Sequence, residues 1–181
     1  MDRVHAERPR PWQAAVAELA EVSGNIDPAE FARLLEELED PARRCFLSGQ
    51  GRSGLVAGMV AMRLMHIGRT CHVAGEATAP AIRRGDVLIV ISGSGTTPAS
   101  VRHAESARAE GATVIAVTRP GGGALAGIAD LTLRVPAVAS AQLGGNLFEQ
   151  AALIALDGLV NALAAGVPDA RGRLRRRHAN L

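Results

Sequence analysis

The feature that most constrains this 181-residue chain is Asp86-Val87-Leu88-Ile89-Val90-Ile91-Ser92, followed at once by Gly93-Ser94-Gly95-Thr96-Thr97. An unbroken apolar run of this length, ending in glycine and hydroxyl residues, reads as a strand buried on both faces. Such a strand needs helices on each side of its sheet. The rest of the chain supplies them. Residues 44–49, 70–74, 113–118 and 131–135 read as further strands. Residues 53–67, 98–110, 123–129 and 143–165 carry apolar side chains at helical spacing, and a short basic helix covers 169–178. The alternation predicts an α/β fold, a three-layer α/β/α sandwich with a five-stranded parallel sheet. Two more helices are expected across residues 11–39, where Val16, Leu19, Ala20, Phe31, Leu34, Leu35 and Leu38 form stripes. Asp27-Pro28 marks the start of the second, as an N-cap followed by proline at the first helical position. The expected organisation is an N-terminal helical segment (1–40) packing on the domain, a ligand-binding domain (41–166), and a C-terminal helix and tail (167–181). Residues 135–145 read as an irregular linker.

Composition agrees with helices on a parallel sheet. Hydrophobic residues make up 48% of the chain but aromatics only 2%, with no Tyr and the single Trp12, so Ala, Val, Leu and Ile must build the core. The chain contains no lysine, which rules out a Schiff base or a lysine general base. Arg171, Arg173, Arg175, Arg176 and Arg177 form a basic run without stacking aromatics. That reads as a solvated helix face or a subunit contact, so no nucleic-acid partner is expected. Cys45 and Cys71 stand in apolar contexts and read as reduced core residues. The start of the chain lacks the apolar stretch of a secretory signal, and the apolar runs look too short to span a bilayer. A cytoplasmic protein with no membrane partner is the expectation. No His, Cys or carboxylate cluster has ligand spacing, so no metal and no cofactor are expected.

Two loops carry the chemistry. Gly49-Gln50-Gly51-Arg52-Ser53-Gly54 joins a strand to a helix, where glycines let the backbone turn and free N–H groups face an anion. Arg52 adds a cation and Ser53 a hydroxyl. The same residues fit G-x-G-x-x-G, with Glu76 near the end of the next strand, which is also a dinucleotide fingerprint. The second loop, Ser92-Gly93-Ser94-Gly95-Thr96-Thr97, sets four hydroxyls and two glycines at another helix start. One Ser or Thr would be enough to cap that helix. Four can wrap a phosphate dianion without lysine.

These loops together resemble the sugar isomerase (SIS) domain, a flavodoxin-like fold whose phosphate loop reads roughly S-x-S-G-x-T. Ser92, Ser94, Gly95 and Thr97 match it. GRSGLVA, AMRLMHIG, GE-T-P, ISGSGTT, VIAVT, NLFEQ and RHANL, from about residue 45 onward, resemble the 6-phospho-3-hexuloisomerase family within it. The resemblance implies interconversion of D-arabino-hex-3-ulose 6-phosphate and D-fructose 6-phosphate through a cis-enediol. It further implies a place in formaldehyde fixation by the ribulose monophosphate pathway, or in archaeal pentose supply, and a homotetramer. The alternatives are a non-catalytic SIS module that senses a sugar phosphate, and an SIS isomerase for another sugar phosphate. A nucleotide-cofactor oxidoreductase is the reading of the G-x-G-x-x-G match.

A ketose–ketose shift needs a base and an acid. Glu149, in Asn146-Leu147-Phe148-Glu149-Gln150, stands at the start of a long apolar helix. It is either a base, its pKa raised by apolar neighbours, or a first-turn carboxylate complementing the helix dipole. The resemblance favours the base. His178 is either a tail residue or, as in related isomerases, a histidine delivered to a neighbouring subunit's site. His66 is a packing residue or a substrate contact. Glu76 either meets sugar hydroxyls or caps a turn. Two departures from the wider SIS pattern stand out. Thr78 occupies a position where some members carry histidine, and Thr96 one where some carry glutamate.

Overall fold

A computed structural model describes residues 10–180; His5 and Leu181 lie outside them. The elements in chain order are α1 (Pro11–Gly24), α2 (Pro28–Glu37), β1 (Cys45–Gly49), α3 (Arg52–His66), β2 (Cys71–Val73), β3 (Val87–Ile91), α4 (Pro98–Ala109), β4 (Thr113–Thr118), α5 (Gly123–Ile128), β5 (Leu131–Arg134), α6 (Asn146–Ala165) and α7 (Ala170–Arg177). All strand pairs are parallel, in the order β2-β1-β3-β4-β5. This is the expected five-stranded α/β/α sandwich.

Every residue of β3 is buried, as its unbroken apolar run predicts. Alternate residues along each strand feed two cores. Leu47, Ile89, Ile91, Ile115 and Val117 pack with α3, α6 and the two N-terminal helices. Phe46, Leu88, Val90, Val114 and Ala116 pack with α4 and α5 in a smaller second core. The second face has no helix at the β2 end, because residues 74–86 link β2 to β3 without one.

Asp27 caps α2 as predicted, its side chain accepting from Ala29 N at 2.8 Å. Glu30, in the first turn of this helix, is buried and accepts from Arg134 N at 2.7 Å. The exposed edge of β5 thus gains an acceptor from α2. α6 begins at Asn146 rather than at residue 143, because Gly144 takes a left-handed φ of 63° that helix geometry excludes. At 20 residues α6 is long and apolar enough, by composition, to cross a membrane, contrary to the expectation for the apolar runs. It lies instead against α1, α2 and α3, with Leu156, Leu159 and Ala152 fully enclosed. Both cysteines are free. Cys45 is buried, but Cys71 is only half-buried and pairs in register with it across β1 and β2.

The chain runs from β1 outward to β2, then returns to the other side of β1 and continues through β3, β4 and β5. The sheet therefore reverses its winding between β1 and β3. A crevice opens at such a switch point beyond the carboxyl ends of the strands.

Candidate active site

The two glycine-rich loops leave β1 and β3, the strands that flank this switch point. A cleft of about 430 Å³ opens there, lined by Gly51, Arg52, Ser53, Gly93, Ser94, Thr97, Arg119, Gly145, Phe148 and Glu149, with Gln50 at its edge. Three helices begin at its wall. α3, α4 and α6 follow Gly51, Thr97 and Gly145, and none of the three N-termini is capped by its own side chain. Their first N–H groups and positive dipole ends remain for a bound anion.

The backbone explains the glycines. A Cβ on Gly95, at φ 64°, would stand 1.8 Å from the carbonyl oxygen of Gly122, so the hydroxyl loop can rest on the turn after β4 only with glycine there. A Cβ on Gly93 would come within 3.0 Å of the Phe148 ring, which closes the cleft floor. The hydroxyls divide. Ser94 is exposed, and its Oγ accepts from Thr96 N at 3.3 Å and Thr96 Oγ1 at 3.1 Å. Ser92 is buried below and donates to Thr97 Oγ1 at 3.3 Å. Ser94 and Thr97 thus face the cleft, whereas Ser92, Gly95 and Thr96 shape the loop that presents them.

Glu149 enters from the first turn of α6. Its carboxylate accepts from Arg52 Nε in an ion pair, with Arg52 half-exposed. A guanidinium meets the acid here, not the apolar surround expected from the sequence. Arg119, which the sequence reading passed over, also lines the cleft. It follows β4 directly, and its guanidinium lies 5.5 Å from the Phe148 ring centroid. The signal available was one arginine immediately after an apolar strand, at the carboxyl edge where ligands bind.

Three expected site residues lie elsewhere in this chain. Glu76, after β2, is exposed and lines a separate cleft of about 220 Å³ with Phe46, Ile82 and His103. His103 there shares a 2.8 Å hydrogen bond with Ser48. His66 and His178 are at the opposite end of the sheet. His66 closes α3, whose 15 residues span about 22 Å from the loop at its start. The His178 ring stacks on it, with centroids 5.5 Å apart and planes 15° apart. One chain therefore does not bring either histidine to its own cleft. Among the described residues no group of three or more His, Cys, Asp or Glu is placed to hold a metal ion.

A parallel α/β/α sandwich with hydroxyl-rich loops and uncapped helix starts at its switch point defines a class of α/β proteins built to take an anion at the carboxyl edge of the sheet. The chain belongs to the SIS domain family, whose model matches residues 40–161. Its relatives include the 3-hexulose-6-phosphate isomerase of Mycobacterium gastri, 42% identical over 172 residues, covering 91% of this chain and 86% of that protein. The 3-hexulose-6-phosphate isomerase of Methanocaldococcus jannaschii is 35% identical, with 84% and 86% covered. A crystal structure of a Methanococcus jannaschii protein, described as inferring a 3-hexulose-6-phosphate isomerase function, superposes with a TM-score of 0.84 at 29% identity. It covers 96% of this chain and 99% of that one.

Proposed function

We propose that this protein interconverts D-arabino-hex-3-ulose 6-phosphate and D-fructose 6-phosphate. The observation that carries the proposal is the convergence of three uncapped helix N-termini, the cleft-lining hydroxyls of Ser94 and Thr97 and one carboxylate in a single cleft. It is joined by family membership and by relatives of this activity over most of the chain. The phosphate sits on Ser94, Thr97 and the start of α4, with Ser53 and the start of α3 opposite. This lays the carbon chain toward Glu149. The base removes the proton from C2 of the 3-ulose while the carbonyl oxygen O3 takes up a proton, giving the 2,3-enediol. Return of a proton to C3, with loss of the proton on O2, leaves the carbonyl at C2. Glu149 must leave its ion pair with Arg52 to act as the base.

The protein works as a homotetramer in the cytoplasm, in the ribulose monophosphate route of formaldehyde fixation. Leu55, Met59 and Met62 form an exposed apolar stripe on α3, continued by Ile154 of α6, and a second copy covers it. Assembly also accounts for His178. Its own cleft is out of reach, so its ring serves the cleft of a neighbouring copy, assisting at the substrate oxygens. The decisive experiment supplies D-arabino-hex-3-ulose 6-phosphate and follows fructose 6-phosphate through a coupled dehydrogenase. Steady formation of fructose 6-phosphate is expected. Its absence, with conversion of another sugar phosphate, would overturn the substrate assignment.

A further inference from the structure

We propose that Arg119 is the cation that recognises the substrate phosphate, an inference that rests on the sugar-phosphate reading of the cleft. The hydroxyl loop is neutral, and the chain has no lysine to supply the charge. Of the two arginines lining the cleft, Arg52 is held by Glu149. Arg119 has no carboxylate partner among the described residues, and its buried Nε meets no hydrogen-bond acceptor.

Its position is set rather than loose. The backbone N–H of Arg119 donates to Gly93 O, tying the residue to the hydroxyl loop, and the guanidinium is steadied over Phe148. Gly145 shows where the charge points. A Cβ there would lie 3.2 Å from Arg52 Nη2 and 3.4 Å from Arg119 Nη2. Two guanidinium groups thus converge over one glycine at the start of α6. Two cations on one wall of a cleft favour an anion beside them, and of the two Glu149 meets only Arg52. Arg52 answers to Glu149, and Arg119 is left for the ligand. A planar guanidinium also suits a phosphate better than a point charge, since it binds two oxygens at once.

The test uses inorganic phosphate, so it does not depend on which sugar is converted. Calorimetric titration of the full chain with phosphate should give an affinity that falls at least tenfold in Arg119→Gln and by an intermediate factor in Arg119→Lys. Circular dichroism checks that each variant is folded. With sugar phosphate, Arg119→Gln should raise KM more than it lowers kcat. A second measurement needs no variant. Phosphate should protect Arg119 of the wild-type protein from phenylglyoxal, while exposed Arg102 reacts at the same rate with and without it. Unchanged phosphate affinity in folded Arg119→Gln, or equal labelling of Arg119 with and without phosphate, overturns the proposal. If phosphate binding depends on Arg119 but no fructose 6-phosphate forms, the substrate reading fails and the assignment of Arg119 stands.

Discussion

At the scale of single residues, the proposed base Glu149 is open to a direct test. Glutamine keeps its shape and most of its hydrogen bonds but cannot accept a proton. General base catalysis contributes about 10²–10⁴-fold, so Glu149→Gln should lower kcat by about that factor and leave KM nearly unchanged. Exchange of the C2 hydrogen with deuterated solvent reads the step directly. Exchange at the wild-type rate in Glu149→Gln means that another group is the base. The sequence made Glu149 visible as a carboxylate at a helix start, but its partner was not legible. Arg52 is 97 positions away in the chain, and only folding sets its Nε on that carboxylate. Arg119 was hidden for the same reason. Its place just after an apolar strand was legible, but its tie to the loop after β3 exists only once β4 pairs with β3.

Elements are tied to one another by carboxylates that helical periodicity does not predict. Glu18 on α1 accepts from Ala141 N at 2.7 Å, from Ser140 Oγ at 2.7 Å and from Gln142 Nε2 at 3.0 Å. These bonds, that of Ala141 foremost, hold its carboxyl below the ordinary carboxylate range. They also anchor the linker that carries Gly144 and Gly145 to the cleft. A lowered folded-state pKa means that the tie is present above the unfolded carboxylate pKa and is lost as pH falls through the folded value. The NMR shift of the Ala141 amide should therefore stay constant from pH 7 down to about 4.5 and move only below it. Glu18→Ala should abolish that titration and raise hydrogen exchange across residues 138–145. An Ala141 amide indifferent to both changes would refute the tie. Glu30 makes a comparable link from α2 to β5. Removing it strands the Arg134 N–H at the sheet edge, so Glu30→Ala should cost about 1–3 kcal/mol in urea unfolding. A loss within about 0.5 kcal/mol, the range of ordinary surface changes, would mean that water replaces the carboxylate there.

At the scale of the whole molecule, the proposed assembly can be tested. The stacked pair of His66 and His178 is at the far end of the sheet from the cleft, while an apolar stripe on α3 runs between the two ends. If each cleft borrows its histidine from a neighbouring copy, two inactive variants should rescue each other. Glu149→Gln and His178→Ala protomers, unfolded together and refolded as a mixture, form some clefts with both groups intact. Activity in the mixture well above the sum of the separate variants is the expected outcome. No rescue, in mixtures shown by native mass spectrometry to contain hybrids, would place His178 outside the catalytic step. Light scattering should report four copies per particle at micromolar concentration.

The sequence alone determined the layers of this protein and the location of its anion loops. Periods of two and of about 3.6 residues, glycine after an apolar strand and Asp27-Pro28 before a helix are local signals, because sterics and backbone hydrogen bonding act over a few residues. Strand order, and with it the switch point between β1 and β3, was decided only by the tertiary structure. It depends on pairings between segments tens of residues apart, for which the chain carries no local mark. The same holds for the cleft. Arg52, Ser94, Arg119 and Glu149 come from four separate connections. They meet in one cleft only because a parallel sheet delivers the ends of its strands, and the starts of its helices, to the same edge.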